Sequence, residues 1–315
     1  MTKRALGRTG LTIAPLVLGG NVFGWTADEK TSFAVLDAFV DLGFNCIDTA
    51  DVYSSWAPGN KGGESETIIG KWMKARKNRD RVVIVTKVGS EMGPGKKGLK
   101  PGYIAQAVEA SLKRLGTDHI DLYLAHWPDP EATPEETLSG MGKVIKDGKA
   151  RAIGASNHTA AMLKAAAEAS RKLGVAEYTA IQPHYSLAER KEFEGELQDY
   201  CLKHHLGVIT YFALAKGFLS GKYRSKADLK KSARGEGVAE YLNDRGFAML
   251  AALDSVSKAH GATPAQVALA WLMARPGVTA PIASATSVDQ VKDIAKSASL
   301  ALSAEDMAAL DKASA

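Results

Sequence analysis

Two rhythms of apolar and polar positions run along this chain. Short runs rich in Val, Ile, Leu and Ala predict buried strands, and longer stretches with apolar residues every three or four positions predict helices. The first four strand runs are 16–20 (LVLGG), 44–49 (FNCIDT), 82–88 (VVIVTKV) and 120–126 (IDLYLAH). Four more follow at 152–157 (AIGASN), 180–185 (AIQPHY), 208–212 (VITYF) and 280–284 (APIAS). The helical stretches between them carry their own start and stop signals. Residues 28–43 open on Asp28 and close on Gly43, while 133–149 and 263–277 each open on a Thr-Pro pair. Such residues cap helix starts, and glycine past the last turn ends them.

Strands alternating with helices are the pattern of parallel βαβ units. Eight such strands close a barrel whose interior side chains fill. No shift of composition and no Ser/Gly/Pro-rich linker divides the chain, so residues 1–315 are expected to form a single (β/α)8 TIM barrel. A short N-terminal β-hairpin and long βα loops complete the expectation. The alternative is a doubly wound open sheet, which places G-x-G-x-x-G after its first strand to hold a dinucleotide. Here the first strand runs into LGGNVFGW, which does not match.

Charge and composition remove some function classes. The net charge is +5 over 315 residues, with 45% apolar and 24% charged residues. That excess is too small and too dispersed to predict nucleic-acid binding. No run reaches the roughly 18 apolar residues of a membrane span, and MTKRALGRTGL has no apolar secretion core, so no membrane association and a cytoplasmic location are expected. Cys46 and Cys201 both sit in apolar patterns, as free thiols of a reducing compartment do. The outer helices show no apolar stripe that demands a partner, which leaves the oligomeric state open.

The active site of such a barrel lies at the carboxyl ends of its strands. Those ends carry Asn21, Asp48, Lys87, His126, Ser156-Asn157, Gln182, Tyr211 and Ser284. Any one of these has a structural explanation, as a solvated strand end or a satisfied buried histidine. Eight converging on one rim predict chemistry. In NCIDTADVYS, Asp48 and Tyr53 stand five residues apart, with a second acid, Asp51, between them. A free phenol has a pKa of about 10 and donates its proton poorly at neutral pH. A neighbouring ammonium, Lys87, is expected to lower that value, with Asp48 keeping the lysine charged and oriented. His126 can hydrogen-bond a substrate oxygen or share the proton. Together these four groups form an acid suited to an oxygen on which negative charge develops.

A proton donor of this kind needs a hydride source, and a nicotinamide cofactor is one. Ser156, Asn157 and Gln182 have the donors and acceptors that a carboxamide requires, and Tyr211 has a flat face for its ring. Segment 216–234, KGFLSGKYRSKADLKKSAR, holds seven Lys or Arg against one Asp and reads as a clamp on phosphate groups.

These residues, in this order, resemble the aldo-keto reductases. The likeness covers essentially the whole chain, from LGRTGLTIAPLVLGG to PIASATSVDQV, through IDTADVYSSW, VIVTKVG, LYLAHWPD, AIGASN, AIQPHYS and GFLSGKY. It implies an NADPH-dependent reductase of aldehydes or ketones in which Tyr53 is the general acid. Asp48 and Lys87 would tune it, and His126 would orient the carbonyl. The cofactor would lie against Gly20, Asn21, Asp48 and Ser284, with its amide on Ser156, Asn157 and Gln182. Its ring would stack on Tyr211 and continue along Phe212, Ala213, Leu214 and Gly217. Lys222, Arg234, Thr286 and Ser287 would meet the 2′-phosphate, with Gln290 and Asp293 close to the adenosine. Three positions depart from the pattern. Ser287 stands where many members carry a phosphate-gripping arginine, which brings NADH into play as the alternative. Ile294 stands where an asparagine is common, and TYFALAKG replaces the usual Ser-Pro-Leu turn.

Other classes fit less well. A Schiff-base lysine must be deprotonated, and a carboxylate such as Asp48 beside Lys87 opposes that. Metal sites cluster histidines or carboxylates, whereas His204-His205 falls on a helix away from the rim, so no metal is expected. A cofactor-binding regulatory subunit with slow turnover, and an NAD(H)-dependent alcohol or sugar dehydrogenase, both remain compatible. Phe23, Trp25, Trp56 and Trp127 predict a partly aromatic pocket for a small carbonyl or alcohol substrate.

Overall fold

The computed structural model describes residues 2–315. An antiparallel hairpin of β1 (Arg4–Ala5) and β2 (Thr12–Ile13) precedes the barrel. The barrel strands are β3 (Val17–Gly19), β4 (Cys46–Asp48), β5 (Val83–Val88) and β6 (Ile120–Ala125). They continue as β7 (Ala150–Ser156), β8 (Ala180–Gln182), β9 (Gly207–Thr210) and β10 (Ala280–Ala283). Every neighbouring pair is parallel, and β10 closes on β3. All eight expected strands are present, several of them trimmed: 208–212 ends as strand at Thr210, and 180–185 at Gln182.

The helices sit where the punctuation places them. α1 (Glu29–Asp41) is capped by Asp28, α2 (Glu64–Arg76) starts after Gly63, and α3 (Pro101–Leu115) opens on a proline. α4 (Pro134–Lys146) has a Thr133/Glu136 capping box, and α5 (Ala160–Leu173) is capped by Thr159. α6 (Glu196–His204) and α7 (Asp244–His260) follow, and α8 (Pro264–Ala274) repeats the capping box with Thr263 and Gln266. α9 (Val288–Ala295) and α10 (Ala304–Ser314) complete the chain.

The twofold period of a strand divides the core in two. Val17, Cys46, Val83, Val85, Leu122, Leu124 and Ile209 fill the barrel interior, joined by Leu6, Leu11 and Ile13 of the hairpin segment. Ile47, Ile84, Tyr123, Ile153 and Ile181 face outward into the helical layer, which also buries Cys201 of α6. Both cysteines are free and buried. The same period fixes the site. Asp48 follows Cys46 on the inner face of β4, and Lys87 follows Val83 and Val85 on that of β5. In the register, Asp48 stands between Gly19 and Val85, and Ser156 stands opposite Gln182. No helix among the described residues is long and apolar enough to cross a membrane.

Candidate active site

Lys87 is fully buried, and its ammonium meets three acceptors with its three hydrogens. They are Asp48 Oδ2 at 2.8 Å, the Thr49 carbonyl at 2.7 Å and the Tyr53 hydroxyl at 2.9 Å. Tyr53 rises from the turn after β4, which is fastened by the Ser54 hydroxyl donating to the Phe23 carbonyl. Its own hydroxyl has only a long contact of 3.4 Å to Asp48 Oδ2, beyond the usual range for such a bond. The imidazole of His126 packs edge-on to the Tyr53 ring, centroids 6.1 Å apart. The four predicted residues thus converge.

Electrostatics correct one expectation. Burial first, and then the charge and hydrogen bond of Asp48, push the Tyr53 phenol well above its usual value rather than below it. Burial likewise pushes Lys87 down, and Asp48 raises it back only in part. Tyr53 therefore holds its proton firmly, with an ammonium already in place for the oxygen left when that proton departs. Burial and the charge of Lys87 hold His126 well below its ordinary value, so the ring is neutral.

One cavity of about 680 Å³ contains Tyr53, His126 and most of the predicted cofactor residues. It is lined by Asp48, Ser156, Asn157, Gln182 and Tyr211, and also by Thr286, Gln290, Asp293 and Ile294. Phe212, Ala213, Leu214, Gly217 and Lys222 line it too, as do Asn21 and Ser284, whose side chains touch each other. Four predicted contacts fall outside this lining. Gly20 is buried behind Gly19, and a Cβ there would press on Ser65 Oγ at 2.8 Å. Phe23 is fully buried in the outer core. Trp25 is half-buried with its edge against Trp56, and Ser287 spends its hydroxyl on the backbone of Gln290 as the cap of α9.

Three further predictions are refined. The Gln182 amide nitrogen donates to Asp48 Oδ1 at 2.8 Å, so this side chain holds the carboxylate as well as lining the cavity. Asn157 donates to the His126 carbonyl and accepts from the Tyr211 hydroxyl at 2.7 Å. Of the seven cations in 216–234, Lys216, Arg224 and Lys231 pair with Glu240, Asp254 and Asp228. Lys222 and Arg234 line the cavity without an ion pair among the described residues.

Sequence reading missed Ser90, whose hydroxyl lies 2.9 Å from His126 Nδ1. It stands two residues past the end of β5, where the same rim rule applies. His184 was read only as part of a strand, yet it stacks against Tyr211 at 5.1 Å and 16°, covering one face of that ring.

A closed eight-stranded barrel with Asp48, Tyr53, Lys87 and His126 gathered at one rim has counterparts among known proteins. The family model described as "Aldo/keto reductase family" matches residues 15–315, and the chain belongs to that family. "Uncharacterized oxidoreductase YrpG" of Bacillus subtilis (strain 168) is 36% identical over 309 residues, 95% of this chain and 92% of its own. "Aldo-keto reductase AFTS1" of Alternaria alternata is 32% identical over 345 residues, 98% of this chain and 91% of its own. A "Probable voltage-gated potassium channel subunit beta" of Oryza sativa subsp. japonica is 32% identical over 301 residues, 92% and 89% of the two chains. The protein is accordingly an oxidoreductase of a family that acts on small molecules with NAD(P)H.

Proposed function

We propose that this enzyme reduces an aldehyde or ketone to the alcohol, with NADPH as cofactor and Tyr53 as proton donor. The observation that carries the reading is the saturated Lys87 ammonium. From behind the cavity wall it touches Asp48 and Tyr53 together, and these two line the cavity with His126. The long Tyr53–Asp48 contact leaves the hydroxyl hydrogen free to turn toward a carbonyl oxygen in the cavity. As the proton leaves, Lys87 stabilises the phenolate with a bond already made, which requires no reorganisation. A neutral His126 that accepts from Ser90 at Nδ1 carries its hydrogen on Nε2, ready for the same oxygen. When bound, the nicotinamide supplies the hydride to the carbonyl carbon.

The residues present fit such a cofactor. The cavity of about 680 Å³ gathers amide and hydroxyl groups together with Lys222, which has no ion pair among the described residues. Tyr211, Ser156, Asn157 and Gln182 would hold the nicotinamide end, and Asn21 and Ser284 would flank it. Lys222 and Thr286, near the start of α9, would receive the 2′-phosphate, where a helix amino end favours anions. Gln290, Asp293 and the apolar Ile294 would meet the adenosine. Trp56 and Trp127, 47% and 50% exposed on the cavity wall, would meet the substrate.

The likeness to a channel subunit supports a second reading, a cofactor-binding regulatory protein with slow turnover. Titration with NADPH and separately with NADH, followed by tryptophan fluorescence, tests the cofactor. Tighter binding of NADPH supports the assignment of Lys222, and preference for NADH overturns it. A screen of aldehydes and ketones then separates enzyme from sensor. Tyr53→Phe is expected to lower kcat by roughly 10²–10⁴-fold while NADPH binding persists.

A further inference from the structure

The Tyr211 ring is backed by a residue that the proton transfer does not use. His184 stacks on it with centroids 5.1 Å apart and planes 16° from parallel. Tyr211 lines the cavity and His184 does not, so the imidazole stands behind the phenol as met from the cavity. The rest of the ring is fixed as well. Its hydroxyl donates to Asn157 Oδ1 at 2.7 Å, and Phe212 meets it edge-on at 5.2 Å. The backbone pins the two stacked residues past the ends of β8 and β9, where they form an isolated parallel bridge. There the Tyr211 N–H donates to the Pro183 carbonyl at 3.0 Å, and the Tyr185 N–H to the Tyr211 carbonyl at 3.4 Å.

Hydrogen bonding does not account for a histidine at this place. Its Nε2 is buried with no partner among the described residues. A buried polar atom left unpaired costs stability, and leucine would avoid that cost. Charge does not account for it either. Burial holds the imidazole below its ordinary value, with Lys216 acting the same way, against the opposite pull of Glu192, Glu189 and Glu240. The ring is therefore neutral near pH 7, and what it contributes is a flat, uncharged face against Tyr211.

We propose that His184 is a positioning residue for the nicotinamide: by fixing the plane of Tyr211 from behind, it fixes the surface on which that ring is held. This rests on the reading above that Tyr211 carries the nicotinamide, and it adds a residue that acts through Tyr211 without touching the cofactor. Stacking depends on the relative orientation of two rings. A Tyr211 free to tilt would present its edge for part of the time and hold the nicotinamide less well. The rest of the cofactor would be held as before.

The test is calorimetric titration of the whole protein with NADP+ and with 2′-phospho-ADP-ribose, which is the same molecule without its nicotinamide. Wild type is compared with His184→Leu, His184→Met and His184→Phe. Leu and Met each fill the space without a flat face, so either serves if the other does not fold. Both are expected to weaken NADP+ binding by about three- to tenfold. Binding of 2′-phospho-ADP-ribose should change by less than about twofold. His184→Phe keeps a flat ring behind Tyr211 and should restore most of the lost affinity. The proposal is overturned if Leu and Met leave NADP+ binding as it is in wild type. It is equally overturned if they weaken both ligands alike, since the damage is then general, or if Phe binds NADP+ as poorly as they do. A preference of wild type for NAD+ moves the same comparison, with the same outcomes, to NAD+ and ADP-ribose. Should wild type bind neither NADP+ nor NAD+, the cofactor reading itself falls and takes this inference with it. That failure shows in wild type alone, before any variant is measured.

Discussion

Asp51 shows how differently two carboxylates of one turn can be treated. Asp48 is given Lys87 and Gln182, whereas both oxygens of Asp51 are buried without a partner. Burial, with the negative charge of Glu66 on α2, raises its pKa to about 8 against the weaker pull of Arg114 and Lys87. In the unfolded chain it ionises near 3.8, as an ordinary aspartate does. A group whose folded pKa is raised supports folding fully below the unfolded value, and that support drains as pH climbs through the folded one. Asp51→Asn removes that pH dependence, so its stability relative to wild type should rise by on the order of 4 kcal/mol between pH 5 and pH 9, as denaturant melts at the two pH values would show. The converse holds beside it. Lys87→Met strands Asp48 as a buried charge and should cost about 3–5 kcal/mol in the same melts, along with turnover. Asp48, Tyr53, Lys87 and His126 were legible because strand ends converge on one rim. The surroundings of Asp51 were not, because they depend on residues distant in sequence that meet only in the folded chain.

Elements were read more surely than the bends that join them. Asp28, Thr133 and Thr263 announced their helices because capping is local chemistry written in a few consecutive residues. Backbone sign is not written that way. Phe212, Ala215 and Lys216 all adopt left-handed φ, of 52°, 46° and 58°, in the TYFALAKG segment that departs from the family pattern. Side chains are strained in that region, and the hydrophobic rhythm carries no trace of it. Lys77 shows the same strain where nothing else depends on it: the exposed cap of α2, with φ 51°. Lys77→Gly is expected to raise stability by about 0.5–1 kcal/mol, measured as a higher Tm. No change in the KM for cofactor or substrate should accompany it, because the cap stands outside the cavity lining.

At the scale of the molecule, the two ends of the barrel have separate duties. Eight strands were countable from the sequence, and so was the hairpin, but its role as a plug appears only in the packing. Leu6 is fully buried against the barrel interior, and Leu6→Ala should cost about 2–5 kcal/mol in denaturant melts while NAD(P)H binding at the other end of the barrel is unchanged. Each of the two cores also holds one unpaired thiol, Cys46 inside the barrel and Cys201 in the helical layer. They amount to two clocks set into one molecule. A thiol reagent can mark Cys201 once the outer helices lift, but reaches Cys46 only when the barrel itself comes apart. Equal labelling rates under mildly denaturing conditions would mean that the protein opens in a single event, and a faster Cys201 would mean that its helices leave before its barrel does.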